Sequence, residues 1–229
     1  MLKSSLSVLL PVCNAQAYLS KRLSTLLEVL PEIAARFEIA ILEHGSSDAT
    51  AELGHDLAAG YPQICVLSHP RQMDSSAALR RGLQATHGEL VLFVMDAAVD
   101  PHDFHRLAKA AEAADAVAGR QQPTSVEGPN RPARDASQMP ALLLFHRRVA
   151  TAWRSATTSE TLINYLMRKR YRIVEVPVRQ AIEAPSEPAK RPAVSPPAMS
   201  PPAMHALRSS RRTGASASFR IPFGPASGR

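Results

Sequence analysis

Leu90-Val91-Leu92-Phe93-Val94-Met95-Asp96-Ala97-Ala98-Val99-Asp100 decides how this chain is read. Six apolar residues in a row, without the alternation of a half-exposed strand, suit a strand buried on both faces by flanking helices. Sheets of that kind bind ligands just past the carboxyl ends of their strands. The run delivers Asp96 to that edge and makes it the first candidate functional carboxylate. Two positions on, where a second carboxylate would share a metal ion, stands Ala98. Asp100 and Pro101 then open a helix, the aspartate as N-cap and the proline in the first turn.

Upstream, residues 6–12 (Leu-Ser-Val-Leu-Leu-Pro-Val) read as a first buried strand closing near Pro11, because proline has no N–H for a ladder. After the turn Cys13-Asn14-Ala15-Gln16, Leu19, Leu23, Leu26, Leu27 and Leu30 recur at helical spacing, which predicts a helix ending at Pro31. Residues 37–42 form a second strand. It discharges into Glu43-His44-Gly45-Ser46-Ser47-Asp48-Ala49-Thr50, whose small residues present backbone N–H groups at the start of a helix over 48–59. A short strand over 64–67, the loop His69-Pro70-Arg71-Gln72-Met73-Asp74 and a small-residue helix over 75–86 complete the approach to the central strand.

Downstream, residues 115–118 predict a short strand and residues 119–140 a polar loop broken by prolines. A loop of that length is either functional or disordered. A strand over 141–145 follows, then a helix from Thr157 to about Lys169, with Thr157 and Glu160 at capping-box spacing. A last strand covers 171–178. Strands alternating with helices predict an α/β fold, a mostly parallel Rossmann-like sheet flanked by helices.

The 229 residues, 45% hydrophobic, suit one domain over 1–180 and an appendage over 181–229. The net charge of +7 is uneven: residues 1–180 carry 20 Lys and Arg against 18 Asp and Glu, and residues 181–229 carry 7 against 2. A basic folded face would suggest nucleic acid, whereas a near-neutral body with a cationic tail suggests at most weak contact with anionic surfaces, a peripheral contact of the tail with an anionic membrane and no specific nucleic acid. Nine prolines and the near-repeat Ser195-Pro-Pro-Ala-Met, Ser200-Pro-Pro-Ala-Met predict a disordered tail. No apolar run is long enough to cross a bilayer and no signal-peptide pattern opens the chain, so the expected location is the cytoplasm. Cys13 and Cys65 read as small core thiols.

The order of motifs resembles the family 2 glycosyltransferases, which include the dolichyl-phosphate mannosyltransferases, over roughly residues 5–180. Leu9-Leu10-Pro11-Val12-Cys13-Asn14 is similar to the opening strand and its Pro-x-Tyr-Asn turn. Residues 43–50 are similar to the Asp-Asp-Gly-Ser-Ser-Asp-Gly-Thr segment, and Met95-Asp96-Ala97-Ala98 falls where Asp-x-Asp belongs. Phe145-His146-Arg147-Arg148 resembles the Phe-x-Arg-Arg end of the acceptor-side strand, and residues 171–178 the Tyr-Arg-Ile-x-Glu-Val-Pro-Val strand. The resemblance implies a GT-A fold, a nucleotide-sugar donor, Mg²⁺ or Mn²⁺, and sugar transfer to a hydroxyl or a lipid phosphate. It puts Pro11, Glu43, Gly45, Ser46 and Asp96 on the donor, Asp96 also on the metal, and Asp135 at the acceptor-side general base.

Departures from the pattern fall on the chemistry: Cys13 for tyrosine, His44 for the second acid, Gln72-Met73-Asp74 for Asn-x-Gly, and Ala98. They open a second expectation, a catalytically silent member acting as a binding or scaffolding module. Other side chains have two readings each. Asp100 is a helix cap or a replacement metal ligand, and His102 and His105 are solvated or share a metal-binding helix face. Arg147 and Arg148 meet a phosphate or end a strand in water.

Overall fold

The computed structural model describes residues 2–95, 100–121, 139–155 and 160–179. Seven strands form one sheet: β1 (Leu6–Val12), β2 (Phe37–His44), β3 (Ile64–His69), β4 (Leu90–Val94), β5 (Ala116–Gln121), β6 (Leu142–His146) and β7 (Ile173–Val178). Among the described residues six helices accompany them: α1 (Leu19–Ile33), α2 (Thr50–Gly60), α3 (Ser75–Ala85), α4 (Pro101–Ala111), α5 (Arg147–Ser155) and α6 (Leu162–Arg168). The sheet order is β3-β2-β1-β4-β6-β5-β7. All pairings are parallel except those of β6, which runs antiparallel to β4 and β5. The continuous apolar run of the central strand has the predicted consequence: every residue from Leu90 to Val94 is buried.

Alternate residues of each strand feed two cores. Leu6, Val8, Leu10 and Val12 of β1, with Leu90, Leu92 and Val94 of β4, pack against α1, α4 and part of α2. Leu9, Phe93, Ala118 and Phe145 face the other way, onto α3, α5 and α6. The small-residue face of α3 does what the sequence predicts. A Cβ on Gly82 would lie 2.7 Å from Leu9 Cδ1, so a larger residue would displace the buried Leu9 side chain.

Some boundaries differ from the sequence reading. Helix α1 runs past Pro31 to Ile33: the proline is exposed on the last turn, and the Ala34 amide still reaches the Leu30 carbonyl at 2.9 Å. The expected loop from 119 begins later because β5 continues to Gln121, held by pairing to β7 as far as Gln121↔Val178. A helix not predicted, α5, follows β6 at once, and α6 is capped by Thr161, while Thr157 lies outside the described residues. The remainder of the loop (122–138) and the expected tail lie outside the described residues. Among the described residues, no helix is long and apolar enough to cross a membrane.

Candidate functional site

Strands β1, β2 and β3 step outward in one direction, and β4 returns to the opposite side of β1. This reversal at β1/β4 is where an open α/β sheet leaves a crevice beyond its carboxyl edge. The register shows it opening: β1 and β2 stay paired to Val12↔Glu43, whereas β1 and β4 pair only to Leu9↔Phe93. At the end of β4 the Met95 amide donates to the Ala141 carbonyl at 2.8 Å, so the chain reaches Asp96 from a fixed point. Asp96 itself, with Ala97 and Ala98, lies outside the described residues, as does Asp135.

Pro11, Glu43, Gly45 and Ser46 are brought together at this edge. Pro11 pairs in register with Leu42, and Glu43 follows at the end of β2. The Glu43 side chain is buried, and its Oε1 accepts from the Ser46 amide at 2.9 Å. The carboxylate therefore closes its own turn. Gly45 adopts φ +68° and donates its amide to the His69 carbonyl at 2.9 Å. A Cβ there would come 2.7 Å from the Gln72 nitrogen, so both conformation and space require glycine.

Sequence reasoning missed how the turns after β1 and β2 are stitched together. Asn14, at φ +50°, accepts at Oδ1 from the Ser47 amide at 2.8 Å and donates its own amide to Ser46 Oγ at 3.1 Å. The Ala15 amide donates to Thr50 Oγ1 at 2.7 Å, and the Gln16 amide to Asp48 Oδ2 at 3.2 Å. The Thr50 hydroxyl, assisted by the Gln16 and Thr50 amides, holds the Asp48 carboxyl below its usual range. The one signal available in sequence was asparagine at a turn, a residue that tolerates the left-handed region.

The 70–74 loop covers the same edge. Gln72 Nε2 donates to Cys13 Sγ at 3.6 Å, and the Met73 amide donates to His44 Nδ1 at 3.4 Å. Cys13 is thus half-buried at the mouth of the site rather than in the core. Asp74 caps α3, accepting from the Ala77 amide at 2.8 Å. Asp100 caps α4 as predicted, accepting from the His102 amide at 2.9 Å. Beside it a cavity of about 510 Å³ separates the start of α4 from the exit of β7, lined by Asp100, His102, Asp103, Arg106 and Arg179. Buried Asp103 braces that wall, accepting from Arg106 Nη1 at 2.9 Å and from the Arg179 amide at 2.8 Å.

Position decides two of the readings left open, against a phosphate contact for Arg147 and Arg148 and against a shared metal face for His102 and His105. Arg147 and Arg148 follow His146, which pairs with Leu90 at the amino end of β4, so they lie on the edge opposite the crevice. Arg147 serves the floor of the sheet instead: Nη1 donates to the Leu83 carbonyl at 2.9 Å, and Nη2 to Ser7 Oγ at 2.9 Å and Thr86 Oγ1 at 3.0 Å. His105 turns away from His102 to pair with Glu32 at 3.0 Å. Among the described residues no three His, Cys, Asp or Glu side chains gather to hold a metal ion. The described residues therefore do not fit an all-protein cage.

The fold and its edge define a nucleotide-sugar transferase-like α/β protein of the GT-A type. Residues 7–173 match the family model Glycosyl transferase family 2, and the chain belongs to that family. A dolichyl-phosphate beta-glucosyltransferase of Trichomonas vaginalis is 37% identical over 94 residues, 41% of this chain and 26% of that protein. The chain spans about a quarter to a third of the curated relatives it matches first. Among solved structures, a mannosyltransferase from Pyrobaculum calidifontis in complex with GDP-Man and Mn²⁺ superposes with TM-score 0.62. It is 15% identical, over 81% of this chain and 59% of that one. Glucosyl-3-phosphoglycerate synthase from Mycobacterium tuberculosis, with Mn²⁺, UDP and phosphoglyceric acid, gives TM-score 0.55 at 19% identity. The superposition covers 77% of this chain and 69% of that one.

Proposed function

We propose that this domain binds a nucleoside-diphosphate sugar in the β1/β4 crevice and transfers the sugar to a hydroxyl or lipid-phosphate acceptor. The observation that carries the reading is the switch-point crevice walled by the Asn14-stitched turn, Gly45 and Ser46. Pro11 and the 43–46 turn bound the nucleoside side, and the end of β4 faces the diphosphate. A divalent cation, Mg²⁺ or Mn²⁺, supplies charge neutralisation on the leaving diphosphate when bound. Asp135 removes the acceptor proton when the acceptor is a hydroxyl. The cavity beside Asp100 offers the acceptor a place on the same edge. Calorimetry with UDP- and GDP-sugars, with and without Mn²⁺, tests the reading; no heat at millimolar donor refutes it.

A second reading, a silent binding module, has its own observations. Ala98 removes a metal-site carboxylate, Glu43 is turned into its own turn, and His44 Nδ1 is engaged by Met73. Sugar transfer or donor hydrolysis that disappears in Asp96→Ala rules this reading out. The basic tail is proposed to meet anionic lipid from the cytoplasmic side, where a lipid-phosphate acceptor would be presented. Co-sedimentation with anionic vesicles unchanged by deleting 181–229 overturns that part.

A further inference from the structure

We infer that the turn joining α6 to β7, with the start of α5, docks on an anionic lipid surface through Arg148, Arg168, Lys169, Arg170 and Arg172. The inference goes beyond the donor reading and does not rest on it. Charge in the body is split: residues 1–145 carry 12 Lys and Arg against 16 Asp and Glu, and residues 146–180 carry 8 against 2. Asp115 and Glu160 offset part of the excess, Asp115 beside Arg148 at 3.6 Å and Glu160 against Arg168 at 2.8 Å. Lys169, Arg170 and Arg172 are exposed, and their side chains form no hydrogen bond or ion pair among the described residues. Like charges this close repel one another, so stability gives no reason for the cluster.

Backbone geometry sharpens the point. Helix α6 ends in a Schellman turn: the Arg170 amide donates to the Met167 carbonyl at 3.0 Å and the Tyr171 amide to the Leu166 carbonyl at 3.1 Å. Arg170 takes the left-handed position at φ +58°, where glycine is the unstrained choice. An arginine kept there serves through its side chain, not its backbone. Met167, 41% exposed, and half-buried Tyr171 add apolar surface among the cations. Cations interleaved with apolar side chains suit the headgroup region of an anionic bilayer, which attracts each charge without needing a matched partner. The Arg172 amide donates to Asp115 Oδ2 at 3.1 Å, which sets the turn beside Arg148 at the amino ends of β5 and β7, opposite the crevice. Docking there leaves the crevice open to water, where a hydroxyl acceptor reaches it.

The test is co-sedimentation of the full chain with vesicles of phosphatidylcholine alone and of phosphatidylcholine mixed with phosphatidylserine. Wild type should partition onto the mixed vesicles about tenfold or more above the neutral ones. Arg170→Glu with Arg172→Glu should lose about tenfold of that partition. Lys21→Glu with Lys109→Glu, the same charge change placed on α1 and α4, should lose less than about threefold. Equal losses in the two pairs overturn the inference, since net charge alone then explains them. Wild-type partition in the Arg170 and Arg172 pair overturns it too and leaves the tail as the lipid contact. Arg170→Gly with Arg172→Gln keeps the turn unstrained and should lose partition in the same direction, so the comparison stands even where charge reversal prevents folding. Wild type that ignores the mixed vesicles overturns the inference without any variant, and binding to soluble polyglutamate instead would assign the edge to an acidic protein.

Discussion

Gly45 carries the sharpest constraint on a single residue. It combines φ +68° with a Cβ position 2.7 Å from the Gln72 nitrogen, so Gly45→Ala strains the turn and displaces the 70–74 loop. The expected cost is about 1–3 kcal/mol in urea unfolding, with weakened donor binding; an unchanged midpoint would contradict the geometry. Cys65 makes a pH-dependent prediction. Burial, with a smaller contribution from Glu38, pushes its thiol from an ordinary 9.0 up to about 11. The unfolded chain then ionises first, so the stability tied to the neutral thiol is complete below about pH 9 and declines between 9 and 11. Melting curves from pH 8 to 11 should slope less in Cys65→Ala than in wild type. Gly45 and Ser46 were legible as a glycine and serine turn after a strand. The role of Asn14 was not, because its partners Ser46 and Ser47 are 32 and 33 residues away in sequence.

Among the elements, the floor of the sheet is the part most easily misread from sequence. Arg147 at a strand end beside Arg148 invites a phosphate, yet its guanidinium ties α3, the 86–88 turn and β1 together. Around it Ser7 Oγ donates to Glu38 Oε1 at 2.7 Å, and the His87 and Gly88 amides donate to the same oxygen. Burial lowers the Arg147 pKa, opposed by the Glu38 charge. Arg147→Met should cost about 2–4 kcal/mol by leaving those acceptors unmet, while folded protein keeps its donor affinity. A large affinity loss at unchanged melting temperature would restore the phosphate reading. Helix α5 escaped prediction because it begins directly at the end of β6 with no turn residue between them. Trp153 anchors it from the core, donating Nε1–H to the Glu160 carbonyl at 2.8 Å beneath the Arg80 guanidinium.

At the scale of the molecule, residues 1–187 and 188–229 form separate contact units. A chain ending at residue 187 should melt at the temperature of the full chain and bind donor equally; a drop of several degrees would assign the remainder a folding role. Asp96→Asn should weaken diphosphate binding and its Mn²⁺ response together, measured by calorimetry, and an unaltered Mn²⁺ response would move the cation elsewhere. The sequence by itself determined the alternating α/β order, the buried central strand, the caps at Asp100 and the glycine turn at Gly45, since these follow from local periodicity and backbone chemistry. Only the tertiary structure decided that β6 runs antiparallel, that Arg147 belongs to the floor, that Glu43 closes its own turn and that Arg22 reaches the end of β4. Each of those depends on which distant backbone groups lie within hydrogen-bond reach, and that is settled by strand order and packing rather than by any spacing along the chain.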